Sequence, residues 1–296
     1  MCSNTKIYLL AALSFLLISN FSFGQKLEPK SRPLEPDHFI NSKITGEKYQ
    51  LYISFPSSYS TEDSLTYPVL YVLDGAYSFP TFNLINRRLS SMRMIQDVVI
   101  VGIHSGTDRN SWFINRTLDY TPTSDTLDDR KAEKKFGIPE GKLSSGGAQK
   151  FLECIKNEIT PLIEKHYKVN QERGIAGHSL GGLFAAYCFV NSDGYFNRFG
   201  LNSPSLWWED EKFLKEAVDK FKVNKAWEIP PSKVFVSVGE KETEIEIPTV
   251  ESFCQHLRDA NYKNIELTWQ IFTHETHMTV MPASMSRTIT VLYANE

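Results

Sequence analysis

Residues 173–183, Arg-Gly-Ile-Ala-Gly-His-Ser-Leu-Gly-Gly-Leu, limit what this chain can fold into more than any other stretch. A short apolar run ends at Gly177-His178-Ser179-Leu180-Gly181-Gly182, and a helical apolar run, residues 183–190, follows directly. Strand, sharp turn and helix with a serine at the apex make the G-x-S-x-G nucleophile elbow. The serine must adopt a strained backbone conformation to lift its hydroxyl clear of the sheet. Side chains two residues before and after would then collide, so Gly177 and Gly181 leave room.

The rest of the chain supplies a sheet for that elbow. Residues 49–55 alternate apolar and polar and predict a strand. Residues 69–73 and 98–103 are continuous apolar runs, as expected of strands buried on both faces. Further strands are expected at 199–203, 234–239 and 265–272. Helical periodicity appears over 147–167, where Pro161 is a candidate kink, and again over 209–221, 248–260 and 282–293. Residues 104–146 read as a long polar connection with Trp112, Arg116 and Tyr120 embedded in it, a length usually reserved for functional or mobile segments. Strands alternating with helices predict an α/β class with a mostly parallel central sheet and helices on both faces. One domain, residues 38–296, is expected behind an exposed lead-in, 25–37.

The N-terminus reads as a processing signal. Lys6 precedes an apolar run, residues 7–18, and Ser22-Phe23-Gly24 offers small residues at the cleavage positions. Residues 1–24 are therefore expected to leave as a signal peptide, giving a periplasmic or secreted protein that begins at Gln25 and has no membrane span. Cys2 lies before the apolar run, which argues against a lipid-anchored cysteine. The net charge of −3, from 32 basic and 35 acidic residues with no long run of one sign, excludes an electrostatic footprint for nucleic acid. Removing Cys2 leaves Cys154, Cys188 and Cys254, each on an apolar helix face, so buried free thiols are expected. No Cys/His spacing suits a metal, and neither metal nor cofactor is expected. No feature assigns an oligomeric state.

A serine hydroxyl needs a base, an acid to orient that base, and donors for the oxyanion. On the α/β-hydrolase fold these follow in the order Ser, Asp/Glu, His. Two histidines follow the last strand. His277 lies deeper in its loop and is the expected base, whereas His274 sits almost on the strand and reads as structural. His178 is expected to point away from the serine, and His104 to line the cleft. The expected acid is Glu242, three residues past the Gly239 that ends its strand. Glu240, Glu244, or no acid at all with a backbone carbonyl in its place, remain the alternatives. The oxyanion donors are expected to be the Leu180 N–H, at the start of the elbow helix, and the N–H of Ala76 or, second, Gly75. Asp74 is expected to fix that second loop through hydrogen bonds.

Four segments together resemble the putative esterase family: Tyr71-Val72-Leu73-Asp74-Gly75; Gly102-Ile103 with Arg116 and Asp119-Tyr120-Thr121-Pro122; the elbow; and Ser203-Pro204-Ser205-Leu206-Trp207-Trp208. The similarity spans about residues 40–290 and is nearest to the siderophore trilactone esterase branch. It implies a metal-free serine hydrolase of small-molecule carboxylic esters, with Ser179 and His277 as nucleophile and base. It makes a weak or missing acid unsurprising, and places Arg116 and Trp207 against substrate. Other readings are an esterase of carbohydrate-linked acyl or feruloyl groups, an acyltransferase on the same scaffold, and a binding module without activity.

Overall fold

A computed structural model describes residues 34–62, 64–224 and 226–295. The expected signal peptide, residues 1–24, and most of the lead-in lie outside the described residues. The chain runs β1 (His38–Asn41), β2 (Lys48–Ser54), β3 (Tyr67–Val72), α1 (Gly75–Ser91), β4 (Val99–Ser105), α2 (Arg109–Tyr120), α3 (Thr126–Phe136) and α4 (Ala148–Cys154). After α4 a π-helical turn, Ile155–Ile159, leads into α5 (Thr160–His166). Then follow β5 (Val169–His178), α6 (Leu180–Asn191), β6 (Arg198–Asn202), α7 (Trp208–Val223), β7 (Ser232–Gly239), α8 (Glu246–Ala260), β8 (Ile265–Phe272) and α9 (Met281–Leu292).

The strands form one eight-stranded sheet in the order β1-β2-β4-β3-β5-β6-β7-β8. β1 and β2 pair antiparallel with each other, and β2 pairs antiparallel with β4; the strands from β4 to β8 are parallel. This is the α/β class with helices on both faces that the sequence predicts. The alternation of the strands divides the core. Val69, Tyr71, Leu73, Val101, Ile175, Leu201 and Val236 pack on one face with residues of α4 to α8. Leu70, Val72, Ile100, Ala176 and Phe235 pack on the other with Phe79 and Phe82 of α1 and Ile289 and Leu292 of α9. Parallel strands need cover on both sides, which is why these runs are almost wholly apolar.

Two differences from the sequence expectation have local causes, and one expectation is met. The polar connection carries two helices, α2 and α3. Asp108 caps α2 by accepting from Asn110 N and Ser111 N, with Ser111 completing a capping box. Asp125 caps α3, and Gly137 ends it in the left-handed region. The helix α1 begins at Asp74-Gly75-Ala76, where a loop is expected. The helix over 147–167 does meet an irregularity at Pro161: the π turn just before it absorbs the missing donor. Cys154, Cys188 and Cys254 are buried free thiols, as expected. Among the described residues no helix is long and apolar enough to cross a membrane.

Candidate active site

Ser179 stands between the end of β5 and the start of α6 with φ 61° and ψ −121°. A Cβ on Gly177 would lie 2.4 Å from the Gly181 carbonyl, so the elbow closes only around glycine there. A Cβ on Gly181 would make ordinary contact with Leu73 at 3.5 Å, so the steric demand falls on the first glycine alone. The Ser203-Pro204-Ser205 segment braces the turn: Ser179 N donates to Asn202 O at 3.0 Å, and Ser205 N to Ser179 O at 3.1 Å. The Ser179 hydroxyl lies 3.4 Å from that of Ser205.

The loop after β8 brings His277 to the ends of β5 and β7. Its Nδ1 is 2.7 Å from Glu242 Oε2 and 3.4 Å from Glu246 Oε1. The other oxygen of Glu242, Oε1, accepts from Ser203 Oγ at 2.6 Å and from Gly239 N at 2.7 Å. A Cβ on Gly239 would meet Glu275 O at 2.6 Å, so glycine lets the histidine loop pass this close. The Glu242 side chain is wholly buried. Burial alone would raise its pKa, but hydrogen bonds from His277, Ser203 and the Gly239 amide outweigh it and hold the carboxyl below its ordinary value. Burial likewise pulls His277 down. The hydrogen bond and charge of Glu242, with the charge of Glu246, reverse that and raise the imidazole above its ordinary value. The alternatives stand elsewhere: Glu244 is exposed, Glu240 accepts from His274 N at 2.7 Å, and His274 is a solvent-exposed left-handed residue.

Ser179 and His277 line one cavity of about 580 Å³, with Asp74, Tyr77, Arg109, Trp112, Phe113, Arg116, Phe136, His178 and Met281 among its walls. Leu180 opens α6, and Gly75 and Ala76 open α1; the first amides of a helix have no partner within it. Neither flanking residue caps its helix by its side chain. Ser179 presents its hydroxyl outward, and Asp74, left-handed at φ 53°, turns its carboxylate to Arg116 instead. The amides of Leu180, Gly75 and Ala76 thus receive no cap from the residue that precedes their helix.

Of the two residues expected against substrate, Arg116 lines the cavity and Trp207 does not. Arg116 is on the cavity wall but buried, and both arms of its fork are engaged: Nε reaches Asp74 Oδ1 and Nη2 reaches Asp74 Oδ2, each at 3.0 Å. Trp112 Nε1 adds a third bond to Asp74 at 2.8 Å. Arg116 therefore ties down the Asp74 turn. Trp207 is half-buried against the core beside Trp208 and is not among the cavity walls; Trp112 is. His178 differs as well. It faces the same cavity as Ser179, its ring centre 4.5 Å from that of His277, and burial with the His277 charge lowers its pKa to about 3. His104 is buried in β4, edge-on to Tyr77.

Ser203 and Ser205, which the sequence marks only as part of a family motif, touch Glu242 and Ser179, and Glu246, which it does not mark, touches His277. Glu242, Glu246 and His277 each bring one possible ligand atom within 4.8 Å of the others. His277 Nδ1 is already bonded to Glu242, so the trio is that of an oriented imidazole.

Residues 42–284 match the family described as "Putative esterase". The Ferri-bacillibactin esterase BesA of Bacillus subtilis is 27% identical over 259 residues, 84% of this chain and 86% of that one. The crystal structure of the BES protein from Bacillus cereus superposes with a TM-score of 0.75 at 26% identity, covering 90% of this chain and 99% of that one. An IroE-like serine hydrolase from Shewanella oneidensis superposes with a TM-score of 0.73 at 26% identity, covering 85% and 78%.

Proposed function

The chain belongs to the putative esterase family, and on that premise we propose that it hydrolyses carboxylic esters through an acyl-enzyme on Ser179. The observation that carries this reading is a serine at a left-handed elbow sharing one cavity with an imidazole whose far nitrogen is held by a buried carboxylate. In the first step the Ser179 hydroxyl exchanges Ser205 for His277 Nε2, gives up its proton, and attacks the ester carbonyl. Glu242 fixes the tautomer by accepting from Nδ1–H and stabilises the imidazolium that forms. The amides of Leu180 and of Ala76 or Gly75 receive the oxyanion. His277 then protonates the leaving alkoxide, and water repeats the sequence on the acyl-enzyme.

The substrate we propose is a siderophore ester, on the ground that the relative from B. subtilis bears that activity in its name. The location we propose is periplasmic or extracellular, reached by loss of residues 1–24. A fluorophosphonate probe should label the wild-type protein at Ser179 and leave Ser179→Ala unlabelled. Labelling elsewhere, or none, overturns the reading. The N-terminal sequence of protein recovered from its native compartment should begin at Gln25.

A further inference from the structure

The helices α1 and α9 cover one face of the sheet together, and neither contains an acidic residue, although the chain as a whole carries a net charge of −3. Their arginines, Arg87, Arg88 and Arg287, are all solvent-exposed, as is Arg93 just past the end of α1. None of the four guanidinium groups has a partner among the described residues. Exposed cations elsewhere are treated differently: Arg130, Lys131 and Lys212 each pair with an acid three residues away. The acid nearest to Arg93 in sequence, Asp97, is taken up by the hydroxyls of Ser58 and Ser90.

The solvent side of α1 is also unusually apolar. Residues 77, 80, 84, 87, 88 and 91 recur every three or four positions and form its exposed stripe. A helix on the surface of a globular domain gives that stripe to polar residues; here it reads Tyr, Pro, Leu, Arg, Arg, Ser. Leu84 is 71% exposed, and Met92 and Met94, on either side of Arg93, are 53% and 57% exposed. Single exposed apolar side chains are ordinary, but these three fall within residues 84–94 and alternate with unpaired arginines.

That combination identifies what can cover it. Apolar side chains enter the boundary between headgroups and acyl chains of a bilayer, while guanidinium groups pair with lipid phosphates. A second copy of the chain set on the same stripe across a two-fold axis would instead bring these arginines together with no acid of α1 or α9 between them. We propose that the α1–α9 face docks this protein on an anionic membrane surface, with Leu84, Met92 and Met94 in the headgroup layer and the four arginines on lipid phosphates. The proposal stands apart from the ester-hydrolase reading, since none of these seven residues lines the cavity of Ser179.

The test is co-sedimentation with vesicles of phosphatidylcholine, alone or with about one third phosphatidylglycerol. The protein used begins at Gln25, so the apolar run of residues 7–18 contributes nothing, and all eight strands are retained. We expect partitioning to the anionic vesicles to exceed that to the neutral ones by about hundredfold and to fall as salt rises. Arg87→Gln/Arg88→Gln/Arg93→Gln should weaken it by about hundredfold, at about fivefold for each arginine. Lys150→Gln/Lys222→Gln/Lys263→Gln removes the same charge from exposed lysines elsewhere and should change it by less than about threefold. Leu84→Ser/Met92→Ser should weaken it by about tenfold. An unchanged circular dichroism spectrum establishes that each variant is folded. Equal partitioning to the two kinds of vesicle, or to neither, overturns the proposal. So does an equal loss in the lysine and arginine variants, no loss in the apolar variant, or displacement by inorganic phosphate at constant ionic strength, which would assign the arginines to a soluble anion.

Discussion

Asp74 and Glu242 are the same chemical group in matching places, and they do different work. Each follows the C-terminal end of a parallel strand, β3 or β7, on opposite sides of the strand that carries Ser179. Each is buried and bonded through both oxygens. Asp74 accepts from Arg116 and Trp112, neither of which changes charge between acid and alkaline pH. Glu242 accepts from Ser203, the Gly239 amide and His277, and the last of these is an imidazole, the one partner that can take up and release a proton. Burial and the strand end are common to both. What separates a fixed brace from a group that can take part in proton transfer is the partner's own pKa.

The largest expected effect lies between the two. Ser179→Ala should cut ester hydrolysis by about 10⁴-fold or more, with an unchanged circular dichroism spectrum. Turnover near the wild-type rate would strip Glu242 of any distinct role and leave two braces. Next comes the brace itself. Arg116→Met leaves Asp74 buried and unpaired, which should cost about 3–5 kcal/mol in a urea titration. The double variant Asp74→Asn/Arg116→Met should recover part of that loss, because no lone charge remains. A single-variant loss under about 1 kcal/mol, the range of exposed pairs, would mean that the brace carries nothing.

Glu242→Gln tests the other half. Ester hydrolysis should fall by roughly 10²–10³-fold, since a neutral partner neither fixes the tautomer nor stabilises the imidazolium. The pH profile gives a sharper readout. His277 must be neutral to accept the Ser179 proton, so activity is lost as pH falls through its pKa. Glu242 and Glu246 raise that pKa, which places the wild-type acid limb above the ordinary imidazole range near ~6.5. Glu242→Gln removes the hydrogen bond to a charged acceptor while burial, which lowers the value, remains. The limb should therefore move to lower pH. A limb that stays in place would put Glu242 in the same class as Asp74.

What the sequence discloses of this site follows from how local each signal is. The elbow is legible because the left-handed serine and Gly177 are demands of five adjacent residues. His277 and Glu242 are legible from chain order along a parallel sheet, where successive strand ends converge on one edge. The aromatic wall is not. Trp112, Phe113 and Phe136 sit in a stretch whose polar residues outnumber its apolar ones, and only the capping residues Asp108 and Asp125 mark the helices there. Trp207 misleads because its motif does reach the site, but through Ser205 beside Ser179 and Ser203 beside Glu242 rather than through the indole. His178 misleads because neighbours on a strand alternate in direction, whereas the turn at Ser179 breaks the alternation and leaves both residues facing the cavity. Glu246 opens α8 after a tight turn in which its amide donates to Thr243 O at 3.2 Å, and a turn of that kind leaves no periodic signal in the sequence.

That position makes Glu246 the finest discriminator of the comparison and the smallest expected effect. Its Oε2 accepts from Thr243 N and Thr243 Oγ1, each at 2.9 Å, while Oε1 stands 3.4 Å from His277 Nδ1 without replacing the Glu242 bond. It acts on the imidazole by charge rather than by orientation. Glu246→Gln keeps an oxygen for Thr243 and removes only the charge, so kcat/KM on the alkaline plateau should stay within about threefold of wild type. The acid limb should move to lower pH by less than it does in Glu242→Gln, and the two shifts should be roughly additive in the double variant if charge alone is at work. A plateau loss as deep as that of Glu242→Gln would show instead that His277 is oriented by both carboxylates. The contrast with Asp74 would then rest on a pair of acids, since no single oxygen would hold the ring.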